Sequence, residues 1–394
     1  MKLVHLADLH LGFRQYQRQT ATGINQREAD VAAAFRSAIS RVIELQPDII
    51  VIAGDVFHSV RPTNPAILHA YSQFARLTQM LPGTDVVMIA GNHDRPRTAE
   101  TGCLLRLFST LGITVVEGEA RRIALRNGEL SVLAVPNGVR PRPVFDPDPG
   151  ARYNVLLTHG EVEGVINHHG DPAGRVAGHL TRSELRSERW SYQALGHYHV
   201  HHRVAPNAFF SGSLEYASSN IWGEVDDEIE KNVRGKGFIE RDLQTGEHRF
   251  HHLKLERRVI DLPAVDATGR TSFEISAEIC RAVDECEGGI DDCIVRMVVH
   301  DVPRHVLRDL DHRKIREFKT RALHFLLDAR RPVIVRTESS GAPGRRTSLT
   351  DTVRSMLERR QITPGIDRKS LVDLGLHFLD EADRLAPALS GDDV

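Results

Sequence analysis

The sequence predicts an α/β fold: a parallel-then-mixed β-sandwich flanked by helices and ending near residue 255, followed by a smaller α/β unit and two terminal helices. Apolar runs alternate with amphipathic helical stretches over the first third of the chain, which is the pattern of parallel strands joined by crossover helices. The pattern then turns to shorter strands punctuated by turn signals. Five of the apolar runs also end in clusters of metal-type ligands, as strands of an open α/β sheet do when their carboxyl ends share one crevice.

Taken in order, Leu3 to Ala7 runs into Asp8-Leu9-His10. A helix over Arg27 to Leu45 carries Val31, Ala34, Phe35, Ala38, Ile39, Val42 and Ile43 at helical spacing, so one face packs on the sheet. Asp48 to Ala53 leads to Gly54-Asp55. Thr63 or Asn64 caps the next helix, with Pro65 in its first turn and Ile67, Tyr71, Phe74 and Leu77 as its apolar stripe. Val86 to Ala90 runs into Gly91-Asn92-His93-Asp94, and a third helix is expected over about Ala99 to Leu111. Turns fall at Arg126-Asn127-Gly128 and Gln244-Thr245-Gly246. Between them, Val155 to Leu157 leads to Thr158-His159, and Ala194-Leu195 to Gly196-His197-Tyr198-His199.

The second unit, 256–337, reads as strand Val259 to Leu262, helix Phe273 to Val283, strand Cys293 to Val299, helix Ile315 to Leu327 and strand Val333 to Val335. Residues 338–348, rich in Ser, Gly and Arg with one Pro, read as a tether. In 349–394, Leu349, Val353, Met356 and Leu357 form one amphipathic face and Leu371, Leu374, Phe378 and Leu379 another. Such a helix pair suits docking on a partner; packing back on the second unit is the alternative.

The donors at the strand ends are two Asp carboxylates, four His besides His93, and an Asn carbonyl. They are too many for one tetrahedral zinc, and no thiolate is among them. Mixed imidazole and carboxylate ligation suits divalent ions of the manganese, iron or zinc kind. Two such ions can share a carboxylate, clamp a phosphate and make hydroxide near neutral pH, which is what phosphoester hydrolysis requires. Singly, Asp-x-His or Gly-Asp is weak, because Asp after a strand is often a helix cap. Gly91-Asn92-His93-Asp94 and Gly196-His197-Tyr198-His199 are more specific, since polar groups in a row at the mouth of a buried strand carry a desolvation cost that folding does not require.

The ordered set resembles the calcineurin-like metallophosphoesterases. Three stretches are similar to the DNA-repair nucleases of SbcD type: His5-Leu6-Ala7-Asp8-Leu9-His10-Leu11-Gly12, Gly54-Asp55-Val56-Phe57-His58 with Arg61-Pro62, and Ser211-Gly212-Ser213-Leu214-Glu215. The resemblance covers residues 1–255 well and the remainder loosely. It implies a four-layer α/β/β/α sandwich in 1–255, a DNA-capping α/β domain in 256–337, and a helical segment in 349–394 that binds an SMC-like ATPase of SbcC type. It further implies that Asp8, His10 and His199 hold one ion, that Asn92, His159 and His197 hold the other, and that Asp55 bridges them, with two manganese ions as cofactors. His93 would face the scissile phosphate and protonate the leaving oxygen, imidazole being the side chain that changes charge near neutral pH. Asp94 would orient its ring. His58 would position the nucleic acid, with a partly buried loop histidine as the alternative. A twofold homodimer is also implied.

The expected function is thus a metal-dependent DNA exonuclease and single-strand endonuclease of double-strand-break repair. Its rivals are a small-molecule or cyclic-nucleotide phosphoesterase and a scaffold subunit with a silent site. Composition is neutral on this choice: 394 residues, 41% hydrophobic, net charge −2 and pI about 6.9 give no global basic character. Local basic footprints must serve a DNA partner, namely Arg14 with Tyr16, Arg61, Arg95 with Arg97, Arg140 with Arg142, and the stretch Arg182, Arg186 and Arg189. The four cysteines show no paired zinc spacing and no disulfide framework. No apolar run approaches a membrane span of roughly 18 residues, so no membrane and a cytoplasmic location are expected. No Gly-x-x-x-x-Gly-Lys-Ser/Thr loop occurs, so any ATP dependence would come from a partner.

Overall fold

In the computed structural model the described residues are 1–96, 102–165, 179–233, 235–332, 349–359 and 367–385. They fall into two compact units, Met1–Pro332 and Val333–Val394. The first begins with β1 (Lys2–Leu6), α1 (Gln26–Leu45), β2 (Ile49–Ile52), α2 (Asn64–Met80), β3 (Asp85–Ile89) and β4 (Thr114–Val116). It continues with β5 (Arg121–Leu125), β6 (Leu130–Val135), β7 (Tyr153–His159), the short β8 (Glu161–Val162) and β9 (His179–Leu180), α3 (Arg182–Leu185) and β10 (Tyr192–Gly196). Then follow β11 (His202–Ala205), β12 (Ala208–Phe210), α4 (Ile221–Glu230), β13 (Gly237–Asp242) and β14 (His248–His252).

These strands form two six-stranded mixed sheets, ordered β14-β13-β1-β2-β3-β4 and β11-β12-β10-β7-β6-β5. Side chains alternate across a strand, and here both faces are buried, so the strands read as continuous apolar runs. Leu3, Val51, Val87 and Ile89 of the first sheet meet Val132, Val155, Leu157 and Phe209 of the second. Val4, Leu6, Ile50 and Met88 turn the other way, onto Phe35, Ala38, Ile39 and Val42 of α1 and Phe74 and Leu77 of α2. The outer face of the second sheet is covered by Phe145, Val165, Leu185 and Trp190, which come from short elements and loops.

Local chemistry sets the helix starts. The Asn25 side chain accepts from the Arg27 N–H at the head of α1. Thr63, and not Asn64, caps α2, with Pro65 in its first turn. The expected third helix is a 3₁₀ helix over Leu104–Leu111; residues 97–101, including Arg97, lie outside the described residues.

The register places the site. β1, β2 and β3 run parallel with Leu6 beside Ile52 and Ile52 beside Met88, while His159 of β7 lies beside Gly196 of β10. The loops that follow are stitched to each other: the N–H of Asp8 donates to the Gly54 carbonyl at 3.1 Å, that of His10 to Asp55 at 2.9 Å, and that of Gly160 to Gly196 at 3.1 Å.

Beyond the sandwich, β15 (Val259–Asp266), α5 (Ser272–Asp284), β16 (Ile294–His300), α6 (Arg304–Arg308), α7 (His312–Arg321) and β17 (His324–Ala329) build a three-stranded parallel sheet with its own core. The sequence reading needs correction here. The helix expected over Ile315 to Leu327 ends at Arg321, and its last residues belong to strand β17. Ala322 is extended, after which Phe325 and Leu327 pack on one face and Leu323 and Leu326 on the other. A short run whose apolar side chains serve two clusters carries too little period to separate strand from helix. Val333 to Val335 and the tether 338–348 lie outside the described residues.

The second unit contains α8 (Leu349–Arg359) and α9 (Arg368–Leu385). They pack where Gly375 admits the Leu357 side chain, and Arg368 donates to the Leu357 carbonyl at 3.1 Å. Among the described residues no helix is long and apolar enough to cross a membrane.

Candidate metal centre

The five strand-end motifs meet at one place. Ring nitrogens and carboxylate oxygens of Asp8, His10 and His199 lie within 4.8 Å of one another, and so do those of Asp55, His159 and His197. Asp55 Oδ2 stands between the two groups, 3.7 Å from Nε2 of His10 and 3.5 Å from Nε2 of His159. The Asn92 carbonyl oxygen is 2.8 Å from Nε2 of His159 and 3.2 Å from Nδ1 of His197. Nε2 of His10 and Nε2 of His199 face each other at 2.9 Å. Imidazole lone pairs and anionic oxygens converging in this way fit divalent cations, and the mixed N and O set with no sulfur suits the manganese, iron or zinc class.

Backbone strain accompanies the arrangement. Asp8, His10, Asp55 and His197 all have positive φ, between 45° and 110°. Left-handed backbone at non-glycine residues costs on the order of 1 kcal/mol each and gathers at functional sites. Main-chain donors hold the carboxylates: the His197 N–H reaches both Asp8 oxygens at 3.0 Å, and the His93 N–H reaches Asp55 Oδ1 at 2.8 Å.

The electrostatics favour the ligand form at His10 and Asp55. Burial, reinforced by His199, His93 and His58, holds His10 well below the ordinary imidazole value, so it is neutral. Burial alone would raise the Asp55 carboxyl, but the His159 and His93 rings hold it below the usual carboxylate range. Burial raises the Asp8 carboxyl despite the His159 and His199 rings.

His58 and His93 flank this centre. Their ring nitrogens and one of His10 lie within 4.8 Å of one another. His93 Nδ1 is 2.7 Å from the His58 carbonyl oxygen, and His58 Nδ1 is 3.3 Å from Nδ1 of His10. Asp94 does not orient the His93 ring as expected. It is buried, and its oxygens accept the N–H groups of Phe57 at 2.9 Å, Gly91 at 3.0 Å and Val56 at 3.2 Å. It latches the second loop to the third, and burial followed by the Asp55 charge lifts its carboxyl to about 7. A carboxylate beside three amides of two loops bonds them in preference to a side chain one residue away.

The basic footprints separate. Arg61 is exposed, and Arg14 is exposed with its Nε 3.9 Å from Glu28. Arg95 is committed to the Asn137 carbonyl, whose side chain in turn donates to the His159 carbonyl at 3.3 Å. The half-buried Tyr16 ring stacks on His324 with centroids 4.0 Å apart and packs against the cluster of Ile294 and Leu323. Arg142 pairs with Glu184 at 3.1 Å, Arg186 pairs with Asp146 at 2.8 Å, and Arg189 shares that carboxylate. Arg182 donates to the Val204 carbonyl at 3.2 Å.

Sequence reasoning missed Glu224, whose Oε1 lies 3.0 Å from Nδ1 of His199, and the buried Lys236 that pairs with it. The available signal was two acidic residues four apart, Glu224 and Glu228, on the inward face of α4. The Ser211 to Glu215 motif is structural. Ser213 donates to the His199 carbonyl, and Glu215 meets the buried Arg27 guanidinium at 2.8 Å, which also binds Asp30 at 2.8 Å.

Three archaeal proteins, each named DNA double-strand break repair protein Mre11, are similar to this chain. That of Methanocaldococcus jannaschii is 25% identical over 302 residues, 76% of this chain and 75% of its own length. That of Methanococcus maripaludis is 35% identical over 102 residues, covering 26% and 25%. That of Archaeoglobus fulgidus is 27% identical over 267 residues, covering 61% and 56%. The family description "Calcineurin-like phosphoesterase" matches residues 1–201, a span that holds all seven converging donors and ends two residues past His199. With two packed mixed sheets and a donor set at their strand ends, the chain belongs to the calcineurin-like phosphoesterase family.

Proposed function

We propose that the chain is a metal-dependent DNA nuclease of double-strand-break repair, with end-directed exonuclease and single-strand endonuclease activity. The observation that carries this reading is the convergence of Asp8, His10, Asp55, Asn92, His159, His197 and His199, with His58 and His93 beside them. Similarity to proteins named for break repair supplies the substrate. Asp8, His10 and His199 would hold one divalent ion, Asn92, His159 and His197 the other, and Asp55 both; manganese is the ion proposed. When bound, such a pair neutralises a phosphodiester and yields hydroxide near neutral pH.

The chain's own residues then orient and protonate. His93, with Nδ1 at the His58 carbonyl, turns Nε2 to the scissile phosphate, stabilises its charge and protonates the departing oxygen. The His58 ring, edge-on to Phe13 and beside His10, sets the flank on which the nucleic acid lies. Arg14 and Arg61 are exposed cations for DNA phosphates. The three-stranded unit caps the DNA, α8 and α9 dock on an SbcC-type ATPase, and α2, where Leu68 is 70% exposed, contributes to a homodimer in the cytoplasm.

The test is cleavage of end-labelled duplex and single-stranded DNA with manganese, magnesium or chelator, beside a His93→Leu variant. The expected result is manganese-dependent degradation, at least about 100-fold slower in the variant, with metal content unchanged. Hydrolysis of a small phosphodiester without DNA cleavage would make the protein a small-molecule phosphoesterase. A variant that cleaves DNA at the normal rate would remove His93 from the chemistry.

A further inference from the structure

Helix α4 carries two acidic residues that point inward. Glu224 and Glu228 are both buried, and a charge taken out of water needs a partner. The partner is Lys236, 1% exposed, whose Nζ pairs with Glu224 Oε2 and, at 3.3 Å, with Glu228 Oε1. Lys236 also donates to the His199 carbonyl at 3.0 Å. Glu228 Oε2 accepts from the Tyr216 hydroxyl at 2.9 Å and from the Gly235 N–H at 3.0 Å. These contacts occupy one oxygen of Glu224. The other, Oε1, lies 3.0 Å from Nδ1 of His199, while Nε2 of that ring faces Nε2 of His10 at 2.9 Å.

An imidazole whose Nδ1 carries the proton has its lone pair on Nε2, the nitrogen turned here toward His10 and Asp8. We propose that Glu224 is the positioning residue of the ion site formed by Asp8, His10 and His199: it fixes the His199 tautomer and ring angle, and Lys236 holds Glu224 in place. The proposal rests on the metal centre read above. Glu224 acts through His199 and does not touch the reacting atoms. The other ion site is supported differently. Behind His159 stands the neutral carbonyl of Ala53, 2.8 Å from Nδ1, and the carboxylate near His197 is Glu161, 39% exposed and 3.5 Å away. A buried, charged acceptor thus stands behind one site, so its removal acts on one ion and spares the other. The opposite side of α4 packs against the three-stranded unit, where Trp222 meets Ile294 and Leu323, and Asp226 pairs with Arg296 at 3.1 Å.

Manganese titration calorimetry on the full chain, with thermal melting alongside, tests this in Glu224→Gln and in the triple variant Glu224→Gln/Glu228→Gln/Lys236→Met. Supporting partners of this kind are worth about 10- to 100-fold in metal affinity. Glu224→Gln is expected to keep one ion at wild-type affinity and bind the other about 10- to 100-fold more weakly, with a lowered Tm because Lys236 loses a counter-charge. The triple variant removes all three buried charges and strands none, and is expected to regain Tm without regaining affinity. Two ions at wild-type affinity in Glu224→Gln, or affinity that returns together with Tm, would reduce Glu224 to a fold-stabilising role. A measurement independent of any variant is the 15N shifts of His199 in the zinc-loaded chain. Nδ1 protonated with Nε2 metal-bound is expected, and the reverse overturns the proposal. A wild-type chain that binds no ion pair would instead overturn the metal centre itself.

Discussion

At the scale of single residues, the molecule holds polar groups where burial sets their charge. His5 lies wholly buried on β1, with Nδ1 3.0 Å from the Tyr192 hydroxyl and Nε2 without a hydrogen-bond partner. Burial, helped by His201, pushes its imidazole down to about 3 from an ordinary 6.5. The unfolded chain therefore binds a proton that the folded chain refuses, and stability present above pH 6.5 is lost as pH falls toward 3, by at most about 1.4 kcal/mol per pH unit. His201, lowered to about 4 by burial, adds in the same direction and persists when His5 is replaced. Urea unfolding of His5→Leu at pH 5 and pH 6 is expected to show a stability change smaller than wild type by about 1 kcal/mol, whatever constant loss comes from stranding the Tyr192 hydroxyl. Equal slopes would mean that His5 reaches solvent protons in the native state.

At the scale of elements, the sequence was legible where period and burial agree. α1, α2 and the five motif-bearing strands fall where apolar spacing put them, because each buries a continuous face. Leu323 to Leu327 departs from the expected helix because so short a stretch, with His324 inside it, carries no period of its own. Glu224 and Lys236 were only half legible: the spacing of Glu224 and Glu228 marks an inward acidic face, but nothing local shows that a charge far along the chain will lie behind a ligand ring. How closely strand ends approach was also hidden, and one glycine measures it. Gly54, between β2 and Asp55, has φ +85°, and a Cβ there would stand 2.6 Å from Nδ1 of His159 and 2.8 Å from the Gly91 backbone. Neither neighbour yields easily, since His159 Nδ1 is held to the Ala53 carbonyl. Gly54→Ala is expected to cost about 1–3 kcal/mol by overpacking and to weaken metal binding by displacing Asp55 and His159 together. Calorimetry of both properties checks it; a variant with full stability and full metal affinity would show that the crossing of these strand ends is looser than these distances.

At the scale of the whole chain, the donor set and the terminal helices belong to different compact units, Met1–Pro332 and Val333–Val394. All seven donors, both flanking histidines and the Glu224–Lys236 support come from the first. In the second, α8 and α9 bury Val372 and pack at Leu357 and Gly375, yet Met356, Leu374 and Phe378 are 68%, 52% and 60% exposed. Helices that pack on each other and still expose Met356, Leu374 and Phe378 present apolar side chains of the kind that helix-in-groove docking uses, and the proposed partner is an SbcC-type ATPase. Removing 349–394 should therefore leave metal stoichiometry, the melting of the first unit and hydrolysis of a small phosphodiester as in the full chain. Binding to the ATPase should fall by at least about 100-fold, the loss expected when two or three buried apolar anchors at roughly 1–2 kcal/mol each disappear. The point variant Leu374→Glu, which places a charge at an exposed position without shortening the chain, should reproduce most of that loss. If the truncated chain holds the ATPase as tightly as the full one, docking belongs to the first unit, and the exposed apolar face of these helices has another purpose.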